Sequence, residues 1–429
     1  MGLLEKISGL SGRTVLGVNP PVFDFAWFDL WSKPVGLLNI LGHLRARGNQ
    51  VFLVDSLYEA REKALSGGRW KVRRERLPKP DAYRDIPRHY HRFGLSPEEL
   101  RLRLMAAPRP DLILLTSIMT YWYPAVFETV RILREVFPNV PIVLGGIYAT
   151  LCPEHAAGSG ADYVIGPGEA SPRPAVLPLD LYDRPEYGVA ATSYGCPMRC
   201  QYCASSILSP VFQPRPLQDI FADLAGQAAS GPVRDFAFYD DALLWEREKR
   251  FYPLCEHIQA TYPDLNFHTP NGLSVAMLDQ KCCRLMRQTG FRTLRLSLEG
   301  IDAYTNSVGS DKSGPQSYGE AVANLTAAGY QPEDVETYIL AGLPGQNIDD
   351  IERSIDFVKS LGGRPKLCEF SPIPGTRLYN EALKSDPLLA TEPLWHNNTV
   401  YASYLSGRIP PSKLQALKSQ TGTGPKAIA

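Results

Sequence analysis

No stretch of about 18 uncharged apolar residues occurs anywhere in the chain, so a transmembrane helix is not expected. Net charge is missing as well: Lys plus Arg is 45 and Asp plus Glu is 45. That balance gives no reason to expect nucleic acid as an obligatory partner. The eight cysteines form no secreted-type disulfide framework. The opening MGLLEKISGLSGRTVLG lacks the apolar core and cleavage site of a signal peptide, and Lys6 stands where a myristoylation signal carries Ser or Thr. A cytoplasmic location with reduced thiols is the expectation. There is no G-x-G-x-x-G and no G-x4-G-K-[ST], which argues against a conventional dinucleotide or P-loop site. No repeat of roughly 20–50 residues suggests a solenoid.

What is present is a long alternation of strand and helix patterns. Apolar residues are 44% of the chain, enough for sizeable cores. TVLGVNP, QVFLVD, DLILLTS, PIVLGG and ADYVIG read as five buried strands, and PVGLLNILGHLRARG and YPAVFETVRILREVFP as amphipathic helices. Such alternation predicts an α/β, doubly wound Rossmann-like domain over residues 1–170. A basic, Pro-containing stretch, 66–110, reads as an insertion with a solvated surface, turning helical after Ser96. A Pro-rich linker is expected over 171–188. Six further strands follow, VAATS, DFAFYDD, NFHTPNG, TLRLSLEG, VETYILAGLPG and KLCEFSPIPG. They predict a partial (β/α)6 TIM-type barrel over 189–390, with its chemistry at the C-terminal strand ends. Residues 391–429 are left as a cap and tail, with His396 and Asn397 as candidates for a substrate site.

Three of the eight cysteines crowd into SYGCPMRCQYCASS, at Cys196, Cys200 and Cys203. Structural zinc takes four ligands, usually as two C-x2-C-like pairs. A redox C-x-x-C would use only Cys200 and Cys203. An iron–sulfur cluster held by three thiolates keeps one iron open, which suits a cluster that must bind a substrate. The C-x3-C-x2-C spacing, with Tyr202 just before the last cysteine, resembles the radical S-adenosylmethionine (SAM) superfamily. The resemblance implies a [4Fe–4S] cluster on Cys196, Cys200 and Cys203. In that family the open iron chelates SAM, and one-electron cleavage releases a 5′-deoxyadenosyl radical.

The resemblance covers the whole second domain. FYDD resembles the strand end where the family meets the SAM amino group, which implies Asp240 or Asp241. LSLEG resembles the end of the fourth strand, implying Glu299, and HTPNGL implies Asn271. YILAGLPGQ resembles the family's GLPGET turn, implying that Gly342 and Gly345 let the backbone approach the adenine. The other cysteines, Cys152, Cys255, Cys282, Cys283 and Cys368, are scattered, so one cluster is expected and the rest read as buried small hydrophobes.

In the first domain, TSIMTYWYP, GGIYATLCPEH and GPGE resemble the cobalamin-binding domain of B12-binding radical SAM proteins. The resemblance implies cobalamin over the strand C-termini, against Ser117, Thr120, Gly145, Gly146 and Thr150. The D-x-H-x-x-G signature whose His ligates cobalt is absent, and His155 reads as a surface histidine. Trp27, Phe28 and Trp31 form an aromatic group that suits a corrin, a substrate or a hydrophobic seam. The implied activity is a cobalamin-dependent methyltransferase acting on an unactivated carbon. The alternatives are a radical SAM oxidoreductase or cyclase, with or without cobalamin, and a non-catalytic cobalamin or redox sensor. A small-molecule or lipid substrate and an external electron donor of flavodoxin or ferredoxin type are the implied partners.

Overall fold

The computed structural model describes residues 3–169, 174, 176–310, 313–331 and 335–422. It divides into two compact units. The first is Met1–Val189 with Ala222–Val233 and Ala390–His396; the second is Ala190–Phe221, Arg234–Leu389 and Asn397–Ala429. Of the expected linker, 171–173 and 175 lie outside the described residues, as does the tail from 423.

The first unit is built on a parallel sheet of β1 (Thr14–Asn19), β2 (Gln50–Asp55), β3 (Leu112–Leu115), β4 (Ile142–Leu144) and β5 (Tyr163–Val164), in the order 2-1-3-4-5. Alternate residues feed two cores. Leu16, Val18, Ile113 and Leu115 pack with Leu100 and Leu104 of α2 (Pro97–Ala106) and with Val126 and Val130 of α3 (Tyr123–Val136). Val15, Leu112 and Leu114 face Leu37, Leu41 and Leu44 of α1 (Val35–Ala46) on the other side. Gly17 is needed for that approach: a Cβ there would lie 2.6 Å from Leu41. Helices on both faces make the unit doubly wound. Its strand order reverses between β1 and β3, where an open α/β sheet forms a crevice at the strand C-termini.

The basic stretch between β2 and β3 is more ordered than its composition suggests. Arg74–Leu77 pairs with Tyr90–Phe93, which pairs with Val22–Asp24, and Arg61–Ala64 pairs with Trp70–Val72. Arg74, Glu75 and Arg76 point to solvent while Tyr83, Tyr90 and Val72 are buried. The charges therefore cover antiparallel ribbons rather than an irregular loop. Ser96 and Glu99 form a capping box on α2. Because Leu100 and Leu104 enter the core, α2 is the β2–β3 crossover helix itself and not part of an insertion.

The second unit follows β6 (Tyr187–Ala190), the strand on which the division falls. The sheet runs in chain order through β7 (Asp235–Phe238), β8 (Asn266–His268), β9 (Phe291–Glu299), β10 (Val335–Ala341) and β11 (Arg364–Glu369). The neighbouring pairs from β7 to β11 are parallel. Helices α4 (Leu217–Ala229), α5 (Phe251–Thr261), α6 (Gln280–Thr289), α7 (Pro315–Ala327) and α8 (Ile348–Ser360) connect them. The sheet has seven strands, the seventh being the short Leu273–Ser274 beside β9, and among the described residues β6 and β11 are not paired to each other, which leaves the barrel partial and open.

Candidate active site

The cysteine loop leaves the C-terminal end of β6. A short antiparallel pairing of Ser193–Tyr194 with Gln213–Pro214 closes its base. Gly195, at φ 72°, makes the turn into it; a Cβ there would meet Val211 O at 2.7 Å and Ser209 O at 2.8 Å. Cys196, Cys200 and Cys203 are free and half-buried. Their sulfurs already meet polar groups: Cys200 Sγ lies 3.3 Å from Gly309 O, and the Ser205 N–H donates to Cys203 Sγ at 3.4 Å. Burial raises the Cys196 and Cys203 thiol pKa values, and the proximity of Asp241 and of the other thiols adds to the rise. An environment that holds the Cys196 and Cys203 thiols neutral turns favourable to their thiolates once positive charge is bound beside them. Among the described residues, no three His, Cys, Asp or Glu side chains converge as ligands of a single metal ion. Half-buried soft ligands on one short loop suit a polynuclear iron–sulfur cluster, whose corners are spread more widely.

The loop is held at its middle, through Gln201. Gln201 N–H donates to Val308 O, and Leu378 N–H donates to Gln201 O. Tyr202 is half-buried, its hydroxyl hydrogen-bonded to Glu299. Glu299 ends β9 at φ 67°, beside a register shift against β10. Glu299 is thus a non-glycine residue in the left-handed region, buried beside the cysteine loop.

The two acids of FYDD differ sharply. Asp240 was expected as a SAM contact, but its carboxylate faces the fold. It accepts from Thr192 N (2.9 Å), Thr192 Oγ1 (2.6 Å) and Ser193 Oγ (2.8 Å), and Arg250 of α5 lies 3.7 Å away. Its side chain is fully buried. Asp240 therefore anchors the start of the cysteine loop and has no oxygen turned toward a ligand. Asp241 is exposed, hydrogen-bonded to Ser205 and close to Cys196 and Cys203. Asn271 donates its amide to Tyr239 O and Asp240 O at 3.2 and 3.1 Å, clamping the same turn. Sequence reasoning missed Arg250 and Thr192, since neither carries a motif.

Gly342 and Gly345 both have positive φ, at 85° and 77°. The close approach at Gly342 is to protein: a Cβ there would lie 2.5 Å from Ala402. Gly345 is more open, with Tyr304 Oη at 3.9 Å as its nearest neighbour. Gln346 shapes the turn, accepting from Gly342 N and Leu343 N and donating to Leu340 O. Asn397 caps a short helix through Thr399 and is buried, so it presents no group to a substrate.

In the first unit the expected cobalamin residues gather at the C-terminal edge of β3 and β4. Gly146, at φ 90°, packs on the β3 loop; a Cβ would fall 2.4 Å from Ser117 O. Gly145 lies against Ile165. Gly166 and Gly168, after β5, have nothing within 4 Å of a built Cβ. At Gly166 and Gly168 the backbone of this edge is open to the approach of a flat ligand. Two hydroxyls are already engaged: Thr120 Oγ1 with His396 Nδ1 at 2.9 Å, and Thr150 Oγ1 with Gly146 O at 3.1 Å. His396, a candidate substrate residue, is buried there. His155 is not a surface histidine. Its Nδ1 meets the Tyr148 hydroxyl at 2.7 Å, its ring packs on Tyr123 and Phe127, and burial lowers its pKa. Trp31 is fully buried, donating to Gly67 O, whereas Phe28 is exposed.

Comparison with known families agrees with both halves. Residues 191–358 match the Radical SAM superfamily model and residues 93–174 the B12 binding domain model. The chain is a radical SAM enzyme with a B12-binding domain. Its cofactors are a [4Fe–4S] cluster, SAM and cobalamin, and the free thiols of the loop and the glycine-lined edge of the first sheet fit the first and last of these. The chain is 22% identical over 332 residues to an uncharacterized methyltransferase, PH0819, of Pyrococcus horikoshii, covering 65% of this chain and 71% of that protein. Its fold resembles that of the radical SAM methyltransferase TsrM of Kitasatospora setae. The TM-score is 0.67 with the form bound to tryptophan substrate and aza-SAM, and 0.66 with the form bound to cobalamin and a [4Fe–4S] cluster. Both matches are 15% identical and cover 97% of this chain and 90% of the other. Among the described residues no helix is long and apolar enough to cross a membrane.

Proposed function

We propose that this radical SAM enzyme is a cobalamin-dependent methyltransferase acting on an unactivated carbon of a small molecule. The observation that carries the reading is the union, in one chain, of a three-thiol loop at a barrel strand end and a B12-binding sheet whose C-terminal edge carries the glycines 145, 146, 166 and 168. When bound, the cluster and SAM supply one-electron chemistry for hydrogen abstraction, and cobalamin supplies the methyl group.

The chain's own residues prepare the sites. Cys196, Cys200 and Cys203 hold the cluster, and the Asp240–Arg250 anchor fixes where their loop begins. Asp241, Glu299 and Asn271 are the polar groups assigned to SAM, with Gly345 as the backbone approach to its adenine. Asn271 serves through its carbonyl, because its amide is engaged. Ser117, Gly145 and Gly146 are assigned to cobalamin. An acidic flavodoxin- or ferredoxin-type donor in the cytoplasm completes the reading as the source of the electron.

The test is anaerobic turnover with methyl-labelled SAM and candidate substrates. Products should gain one labelled methyl group, and deoxyadenosine should accumulate. Deoxyadenosine with an unmethylated product would move the assignment to an oxidoreductase or cyclase. Intact cofactors with no SAM cleavage would indicate a sensor. Replacing any one of the three cysteines by Ala should abolish SAM cleavage and strip iron while leaving cobalamin bound, read by metal analysis.

A further inference from the structure

The basic stretch of the first unit forms a groove whose residues take no part in the account above. It lies at the loop end of the hairpin in which Arg74–Leu77 pairs with Tyr90–Phe93. Arg76 and Lys79 line it from one strand end, and Arg88 and His89 from the other. Leu77, Pro78 and Tyr90 complete the wall, so no carboxylate is among the lining residues. The volume is about 350 Å³, within the roughly 300–1,000 Å³ of small-molecule sites.

The acids of the hairpin are engaged elsewhere. Glu75 pairs with Arg92 at 3.6 Å on the opposite face of the strand from Arg76, and Asp81 pairs with Arg84 at 2.6 Å. The charge of Asp85 also acts on Arg84. Among the described residues Arg76 has no ion-pair partner. The wall is held firmly. Lys79 Nζ donates to Arg84 O and Ile86 O, at 2.8 and 2.7 Å, which ties the loop across itself. Beneath it the buried rings of Phe25, Tyr83 and Tyr90 pack together at 4.9, 5.4 and 5.6 Å, and the Arg88 guanidinium lies 5.0 Å from the Phe25 ring centre. Cations also crowd on the outer face of the hairpin. His91 is the cross-strand neighbour of Arg76, and its Nδ1 is buried with no hydrogen-bond partner. Burial, and then the charges of Arg74, His89 and Arg76, lower its pKa. Positive groups held together without a carboxylate are stabilised by a bound anion.

We infer that this groove binds a small organic phosphate. The Arg76 and Arg88 guanidinium groups and the one Lys79 ammonium hydrogen left by its two carbonyl bonds meet the phosphate oxygens, and Leu77 and Pro78 meet the organic part. A guanidinium fork matches the geometry of phosphate, which favours this anion over a halide or a lone carboxylate. The zero net charge of the chain favours a small ligand over nucleic acid.

The test uses the full-length, cofactor-loaded protein with phenyl phosphate as probe, by anaerobic titration calorimetry. One equivalent should bind per chain, several-fold more tightly than inorganic phosphate, and phenol should not bind. Raising the salt from about 50 to about 200 mM should weaken binding several-fold. Arg76→Gln should weaken it about ten-fold, and Arg76→Lys by less. Arg76 is exposed on an edge strand, so both variants should fold. Arg84→Gln, which removes a guanidinium outside the groove, should bind like the parent. Equal affinity of the parent and Arg76→Gln would overturn the site. No uptake of phenyl phosphate would overturn the ligand class, the result expected if the phosphodiester of cobalamin already fills the groove. Tighter binding of a single-stranded oligonucleotide than of phenyl phosphate would overturn the small ligand in favour of a nucleic-acid surface.

Discussion

A carboxylate at the end of a barrel strand can face a cofactor or face the fold, and Asp240 faces the fold. Removing it would leave Arg250 buried without its counter-charge and would free the backbone of Thr192. Asp240→Ala should therefore cost about 3–5 kcal/mol in urea unfolding, while Asp241→Ala should cost far less and act on SAM cleavage instead. Glu299 tests strain separately from chemistry. At φ 67°, Glu299→Gly should be more stable than Glu299→Ala by about 1 kcal/mol, with SAM cleavage lost in both. Lys33 makes a pH prediction. Burial holds its folded pKa at about 8, below its ordinary 10.5. Between those values the unfolded chain binds more protons than the folded one, so stability rises with pH across that window. The gain over a Lys33→Met variant should approach about 3 kcal/mol by pH 10.5, measured by parallel urea titrations. The cysteines were legible as residues because spacing alone carries their chemistry. The division of labour between Asp240 and Asp241 was not, since adjacent acids differ only in which way the turn points them.

At the scale of elements, apolar runs marked the strands well. QVFLVD is β2 in full, and the capping box placed the start of α2. The antiparallel ribbons of the basic stretch were hidden because one face carries Arg and Glu, and only Tyr83, Tyr90 and Val72 show the buried side. The segment Ala390–His396 was hidden for another reason. It joins the first unit through long-range bonds, Tyr83 Oη to Leu394 O, Tyr123 Oη to Glu392 and His396 to Thr120, and no local pattern encodes them. The glycine pair after β4 yields a prediction for this edge. Gly146→Ala must place a Cβ against Ser117 O in a conformation that L residues avoid. It should destabilise the first unit by about 1–3 kcal/mol and lower cobalamin retention, read by the cobalt content of the folded fraction.

For the molecule as a whole, the strand order 2-1-3-4-5 followed by six strands in sequence order puts two ligand-facing edges in one chain. Each edge lies at strand C-termini, where parallel sheets collect their functional loops. Fold class and cofactor set could be read before the structure, because both rest on alternation and on short motifs. Substrate identity could not, because it depends on loop side chains that no spacing rule governs. The most direct test of the two-cofactor account is the iron, sulfide and cobalt content of protein purified without oxygen from cobalamin-supplied cells. About four irons, about four sulfides and about one cobalt per chain are predicted for one cluster and one cobalamin. A full cluster with no cobalt would contradict the account, leaving the first sheet as a scaffold for cobalamin-free radical chemistry.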